Sequence, residues 1–284
     1  MRVPLEVVET LKRYLDEDLR TGDLTTTIVC PSTVNGTATI FAKSKTILAG
    51  IEELITIADI TNLTYQVVAS EGDWVEPKQP VIHLKGPAST LLSVERVCLN
   101  LIMRMSGIAT NAHKMVQAAR EGNPNVRVAA TRKTTPGFRY FEKRAVQLGG
   151  GDPHRYALDD MILIKNNHIT AVGGVAQAVL RARKAVSFSK KISCEVRTLE
   201  ETLEAVENGT DIVLLDNFTP EELTQIIETL EKKDLRHQVL LEASGGITEE
   251  NVKEYARSGV DIISSGALTH SYKSADFNMA LKLE

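Results

Sequence analysis

Glu195 and Asp216 each fall at the end of a short apolar run, ISCEV (192–196) and DIVLLD (211–216). Lys165 ends MILIK (161–165), and Thr131, Arg132 and Lys133 follow VRVAA. Two carboxylates at successive strand ends offer hard oxygen ligands for a cation such as Mg²⁺. They equally offer acceptors for sugar hydroxyls, and negative charge to face a cation developing at an anomeric carbon. Arg132, Lys133 and Lys165, with His154 and Arg155 between them, supply guanidinium forks and point charges suited to a polyanion such as a dicarboxylate. Two later runs, QVLLEA (238–243) and VDIISS (260–265), lead into Ser244-Gly245-Gly246 and Ser265-Gly266-Ala267. Glycine admits a phosphate close to backbone amides, serine adds a hydroxyl, and a following helix N-terminus faces the anion. Strands do end where polarity begins, which accounts for some of these residues. It does not account for the sorting, with bases on the first two ends, acids on the next two and Ser/Gly loops on the last two.

The bases are concentrated in TRKTTPGFRYFEKRAVQLGGGDPHR (131–155), although the chain carries a formal net charge of −4. A local basic cluster in an acidic protein points to a small anionic ligand and away from nucleic acid. Arg139, Lys143 and Arg144 fall in a helical pattern after Pro136 and are expected on a solvated face. His113 is expected to be structural or exposed.

The elements that position these residues follow from periodicity. From residue 126 onward, short β-branched runs alternate with helical patterns of ten or more residues, which implies a parallel sheet with crossover helices. Without a GxGxxG after the first strand, a barrel-like α/β fold is favoured over a dinucleotide-binding sheet. Such barrels place their sites at strand C-termini, and phosphate often at the last strands. The first third reads as α+β. A helix is predicted over 4–19, strands over 34–43, 63–70 and 80–86, a helix over 50–60, and a turn at EGDWVEPKQP. A long amphipathic helix is predicted from 87 to about 121.

The bulk composition, 43% hydrophobic and 25% charged, is that of a soluble globular chain. Cys30, Cys98 and Cys194 are odd in number and lack metal-ligand spacing, which argues against a disulfide framework and for a reducing, cytoplasmic setting. No apolar run approaches the roughly 18 residues of a membrane span, and the N-terminus has no secretory pattern.

Taken in order, GDLTT (22–26), SVERVCLNLIMRMSGIAT (93–110), TRKTTPGFRYFEKRAVQLGGG (131–151), HR (154–155), LIKNNHI (163–169), LLDNF (214–218), EASGGI (242–247) and VDIISSGALTHS (260–271) resemble the quinolinate phosphoribosyltransferase family, a decarboxylating type II phosphoribosyltransferase. The resemblance covers nearly the whole chain. It implies an N-terminal α/β sandwich over 1–108, rejoined by the tail 272–284, and an open parallel α/β barrel over 109–271. It implies phosphoribosyl transfer from phosphoribosyl pyrophosphate to quinolinate in NAD biosynthesis, with Mg²⁺ as cofactor. It also implies a homodimer, or a dimer-based assembly, in which Arg96 reaches the partner's site; taken alone, Arg96 beside Glu95 reads as a helix-surface residue. By motif, Arg96, Thr131, Arg132, Lys133, His154, Arg155 and Lys165 would hold quinolinate, with Lys133, Lys165, Glu195 and Asp216 nearest the chemistry. Glu195 and Asp216 would serve the ribose and the metal. Ser244, Gly245, Gly246, Ser265, Gly266 and Ala267 would bind the 5′-phosphate.

Three positions depart from the family's pattern. The third strand reads SCEVR where EVEVE is frequent, so Ser193 and Arg197 flank Glu195 on one face, and Arg197 is available to pair with Glu195. Asn166 stands where Asp is common. The alternatives are a related molybdenum-cluster protein sharing the TRKT-type motif, against which Lys165–His168 argue, a nicotinate-type phosphoribosyltransferase, and a non-catalytic phosphoribosyl-ligand sensor.

Overall fold

In the computed structural model, which describes residues 3–31 and 33–284, the chain divides into two compact units. One comprises residues up to Asn111 with Tyr140–Gly150 and Tyr272–Glu284; the other comprises Ala112–Arg139 and Gly151–Ser271. The elements run α1 (Leu5–Leu19), α2 (Leu24–Val29), β1 (Asn35–Ala42), β2 (Thr46–Ile47), α3 (Ile51–Ile60), β3 (Thr64–Val67), β4 (Trp74–Val75), β5 (Pro80–Pro87) and α4 (Ala88–Gly122). They continue through β6 (Arg127–Ala129), α5 (Arg139–Leu148), β7 (Ile162–Ile164), α6 (Asn166–Val172), α7 (Val175–Ala185), β8 (Ile192–Val196), α8 (Leu199–Glu207) and β9 (Ile212–Asp216). The last are α9 (Pro220–Lys232), β10 (Leu240–Ser244), α10 (Val252–Arg257), β11 (Ile262–Ser264), α11 (Ala267–His270) and β12 (Phe277–Leu283).

The first unit is built on an antiparallel sheet ordered β12-β1-β5-β3. Alternate burial along β1 puts Ala38, Ile40 and Ala42 in the core, and their partners Leu84 and Ile82 on β5 are buried too. In α1, Val7, Leu11 and Leu15 recur every four residues and form its buried stripe. The tail is tied in at both ends of its strand: β12 pairs along β1, and Ala275 N–H donates to the Met103 carbonyl at 3.0 Å.

This unit also takes in α5, against the expectation of a solvated face. Lys143 is fully buried, and Arg144 donates to both oxygens of the fully buried Glu53 at 3.0 and 3.3 Å and to Glu71. Arg104 pairs with buried Glu142 at 2.5 Å. The helix is present as expected, but Glu142, Lys143 and Arg144 face inward, with Glu142 paired to Arg104 and Arg144 to Glu53 and Glu71. Glu71 has a second role, accepting the Gly50 and Ile51 amides at the α3 N-terminus at 2.7 and 2.9 Å. Burial, partly opposed by Arg144, pushes the Glu53 carboxyl up to about 7.

The second unit holds a six-stranded, all-parallel sheet ordered β6-β11-β10-β9-β8-β7. Its central strands are largely buried on both faces, as covered parallel strands must be, with β9 apolar up to Asp216 and β10 carrying the buried Glu242 among apolar residues. The outer strands β6 and β7 are not paired with each other, so the barrel is open. The chain between them is the 131–155 stretch, whose return is marked by a single parallel bridge from Asp152 to Ala129. No described helix is long and apolar enough to cross a membrane.

Candidate active site

Parallel register decides which side chains share a face. Leu214 on β9 is level with Glu195 on β8 and Glu242 on β10; one pleat later, Asp216 is level with Ser244, and Ser244 with Ser264 and Ala129. Residues two apart on a strand share a face. Ser193, Glu195 and Arg197 therefore line up with Asp216, Glu242 and Ser244 along one side of the sheet, toward the strand C-termini. Across the last pair of strands, Lys165 Nζ lies 3.1 Å from Glu195 Oε2.

The flanking charge departs from the expected pairing. Arg197 does not join Glu195; its Nη2 lies 3.5 Å from Asp216 Oδ2. Val196 is level with Leu215, so the next residues along, Arg197 and Asp216, are the natural neighbours. Ser193 is fully buried beside Leu163 and Ile212, and its hydroxyl has no hydrogen-bond partner.

Both ends of the 131–155 stretch are held in place by backbone-directed bonds. The Thr131 hydroxyl accepts the Lys133 amide at 3.0 Å, and the Thr269 hydroxyl donates to the Lys133 carbonyl at 2.8 Å. Arg139, expected in solvent, instead joins the two ends: Nε donates to the Thr134 hydroxyl at 3.0 Å and Nη1 to the Tyr156 carbonyl at 2.9 Å. The stretch thus folds back on itself and brings TRK toward HR. Arg155 is buried, donates to the Met161 carbonyl at 3.3 Å, and has no carboxylate within ion-pair distance among the described residues. Burial first, then the nearby Arg132 guanidinium, lowers its pKa. Arg132 Nε is itself buried with no hydrogen-bond partner. Two guanidiniums near enough to repel, one with an unmet buried donor, have the chemistry suited to an anion.

His154 has a left-handed backbone (φ +53°). Its amide donates to Asp152 Oδ1 at 2.7 Å, its Nδ1 accepts the Arg155 amide at 2.8 Å, and its Nε2 lies 3.3 Å from buried Glu242 Oε2. His168 is a comparable case in LIKNNHI, where Nδ1 accepts the Lys165 amide at 2.9 Å and fixes the backbone from which Lys165 projects.

The two serine–glycine loops are locked together. The Ser265 hydroxyl donates to the Ile247 carbonyl at 2.6 Å and accepts the Ala267 amide at 3.2 Å. Gly245 has φ +104°, and a Cβ there would fall 2.2 Å from Asn217 Oδ1, so no larger residue fits without moving Asn217. At Gly266 a Cβ would meet Lys133 Cδ at 2.8 Å, which puts the lysine stem across the second loop. The expectation of a helix directly after SGGI is not met: 249–251 form a turn and α10 starts at Val252, because the Thr248 amide is capped by Asn251 Oδ1 at 2.8 Å.

Sequence reasoning missed Arg139, Glu242 and His168. Glu242 reaches His154 across 88 positions, and Arg139 bridges Thr134 to Tyr156, which lies 17 positions beyond the arginine, only once the stretch has folded back. His168 carried a local signal, three residues after Lys165 at a helix start.

Residues 23–106 match the quinolinate phosphoribosyl transferase N-terminal domain, and residues 108–280 match the C-terminal domain of the same family. The chain is 44% identical over 242 residues to a probable nicotinate-nucleotide pyrophosphorylase (carboxylating) of Archaeoglobus fulgidus, covering 85% of this chain and 93% of that protein. It is 44% identical over 275 residues to a protein of the same name from Methanocaldococcus jannaschii, covering 96% of each. Its fold superimposes on the crystal structure of NadC from Streptococcus pyogenes with a TM-score of 0.92, at 35% identity, over 99% of this chain and 98% of that one. Ordered motifs, an open barrel bearing bases and acids at its strand ends, and both domain matches lead to one conclusion: the chain belongs to the quinolinate phosphoribosyl transferase family.

Proposed function

We propose that the chain transfers the phosphoribosyl group of phosphoribosyl pyrophosphate to quinolinate with loss of CO₂, giving nicotinate mononucleotide and pyrophosphate in NAD biosynthesis. The name of its relatives, a carboxylating pyrophosphorylase, describes the same conversion run backward. The observation that carries the reading is the approach of Lys165 to Glu195 at 3.1 Å, which joins a base suited to the dicarboxylate and an acid suited to the sugar at one strand-end edge.

In this reading Arg132, Lys133, Arg155 and Lys165 hold the two carboxylates, with Thr131 and His154 framing them. Glu195 and Asp216 take the ribose hydroxyls. Ser244–Gly246 and Ser265–Ala267 take the 5′-phosphate. The substrate brings its own nucleophile, the pyridine nitrogen, so no activated serine or cysteine is required. Burial raises both the Cys98 and Cys194 thiols to about 12, so neither is a nucleophile at neutral pH. As pyrophosphate leaves, Glu195 and Asp216 face the positive charge at the anomeric carbon. Bond formation makes the ring nitrogen cationic, and that charge stabilises the carbanion left when the adjacent carboxylate departs as CO₂. Alignment of the two reactants supplies at most about 7–11 kcal/mol of the barrier reduction.

Mg²⁺ fits this donor set only with help from the substrate. Among the described residues no group of three or more His, Cys, Asp or Glu forms a metal cluster. Glu195 and Asp216 would offer two hard oxygen groups, and pyrophosphate and water the rest. When bound, the ion neutralises charge on the leaving pyrophosphate.

Incubation with quinolinate, phosphoribosyl pyrophosphate and Mg²⁺ is expected to release CO₂ and nicotinate mononucleotide in equal amounts. Turnover with nicotinate alone, or binding of phosphoribosyl pyrophosphate without turnover, would replace this reading by the nicotinate-type enzyme or the sensor.

A homodimer with Arg96 serving the partner's site belongs to the same proposal. Arg96 is exposed on α4. One turn earlier, the Ser93 hydroxyl donates to Asp23 at the start of α2 at 3.1 Å, and α2 exposes Leu24, Ile28 and Val29. An apolar patch beside an outward arginine has the composition of an interface core. Mixing an Arg96→Ala chain with an Arg155→Ala chain is expected to restore activity through one intact shared site; mixed dimers that form and stay inactive would remove Arg96 from that role. The three free cysteines support a cytoplasmic setting.

A further inference from the structure

Glu242 has no part in the reaction described above, yet it is 1% exposed on the sheet face that carries Glu195 and Asp216. A buried carboxylate costs free energy unless something compensates it. Its one hydrogen-bond partner among the described residues is His154 Nε2, at 3.3 Å. The other ring nitrogen, Nδ1, accepts the Arg155 amide at 2.8 Å. A nitrogen that accepts carries no proton, so the ring proton lies on Nε2 and points at Glu242. Both ring nitrogens are therefore engaged within the chain, and neither has an N–H to offer a substrate carboxylate.

The same bonds set the direction of Arg155. His154 sits in a left-handed conformation that non-glycine residues avoid, held by Asp152 at its amide and Glu242 at its ring. Because the Arg155 amide donates to that ring, the arginine leaves the backbone on a path fixed by the imidazole. Among the described residues its guanidinium makes one bond, to the Met161 carbonyl, which leaves its other N–H groups able to serve a ligand.

We propose that Glu242 is a positioning residue for the dicarboxylate site: by holding the His154 imidazole it fixes the backbone turn that aims Arg155. The inference rests on the reading that Arg132 and Arg155 bind the dicarboxylate. What Glu242 must supply is an acceptor for Nε2–H. Glutamine can supply one and leucine cannot.

Calorimetry on the full chain tests this. Glu242→Leu is expected to weaken quinolinate binding at least about tenfold, the scale of leaving one buried donor unpaired, with phosphoribosyl pyrophosphate affinity within about twofold of the parent on that same scale. Glu242→Gln is expected to bring quinolinate affinity back to within about threefold of the parent, since it restores an acceptor. Parental affinity in Glu242→Leu, equal impairment in both variants, or parallel loss of phosphoribosyl pyrophosphate binding would overturn the proposal. Should Glu242→Leu fail to fold, ¹⁵N spectra of the histidine-labelled parent decide it: His154 protonated at Nε2 supports the proposal, and protonation at Nδ1 overturns it. Arg132→Ala measured alongside separates the two levels. If it leaves quinolinate binding intact, the site reading fails; if it weakens binding while Glu242→Leu does not, only the role of Glu242 fails.

Discussion

Arg132→Ala is expected to weaken quinolinate binding by about 30-fold to a few thousand-fold, corresponding to the roughly 2–5 kcal/mol lost when one partner of a desolvated charge pair is truncated. The expectation follows from an unmet need in the structure. Arg132 Nε is buried with no acceptor, and the guanidinium lies close enough to Arg155 to depress that residue's pKa. An anion with two carboxylates relieves both conditions, since it accepts from the orphaned donor and neutralises the repulsion. The serine–glycine loops do not depend on Arg132, so phosphoribosyl pyrophosphate affinity is expected to stay within about threefold, a change of under 1 kcal/mol. Isothermal titration with each ligand checks this. Equal losses for the two would mean that Arg132 supports the whole site and does not read the dicarboxylate.

The second large effect concerns stability. Arg144→Ala is expected to destabilise the protein by about 3–5 kcal/mol at pH 8, the scale seen when one member of a buried ion pair is removed. The substitution leaves Glu53, fully buried, beside Glu71 with no cation between them. The pH dependence has a definite sign. Burial raises the Glu53 carboxyl to about 7, above its ordinary 4.5, so the folded protein binds this proton more tightly than the unfolded chain. That contribution is fully present below the unfolded value and is lost as pH rises through the folded one. Removing Arg144 takes away the one lowering charge and raises the carboxyl further, so at pH 5.5 a protonated Glu53 limits the damage. Urea unfolding of parent and variant at the two pH values is expected to show a clearly smaller difference at the lower. Equal differences would show that Arg144 stabilises through packing of its stem and not through charge.

These residues also show where the sequence was legible and where it was not. Covered strands announce themselves: ISCEV matches β8 end to end and DIVLLD matches β9 to one residue, because β9 is a continuous apolar run up to Asp216 and β8 keeps Ile192, Cys194 and Val196 apolar on the face opposite Glu195. The long α4 showed its period over many turns. The two-residue strands Thr46–Ile47 and Trp74–Val75 are too short to have a period. The six-residue α2 rests on an aspartate cap that fell inside a motif read for other reasons.

The error on α5 has a different cause. Its helical pattern is visible, but Arg144 looks like a surface residue until Glu53 and Glu71, 91 and 73 positions away, are brought to it. The site residues were legible as a set because strand ends sort by chemistry. Their pairings were not, since whether Arg197 meets Glu195 or Asp216 depends on inter-strand register, which one strand's sequence does not contain. Glu242 was hidden for the same reason, as its partner His154 lies 88 positions away.

In the proposed reaction one barrel opening holds a doubly charged pyridine against an activated sugar. The most direct measurement is a crystal structure of the protein with quinolinate and an unreactive carbocyclic analogue of phosphoribosyl pyrophosphate. Both carboxylates of quinolinate are expected on Arg132, Arg155 and Lys165, with the ring nitrogen about 3–3.5 Å from the analogue's C1, the separation of a near-attack geometry. Two ligands in separate cavities, with Lys165 on one and Asp216 on the other, would contradict it.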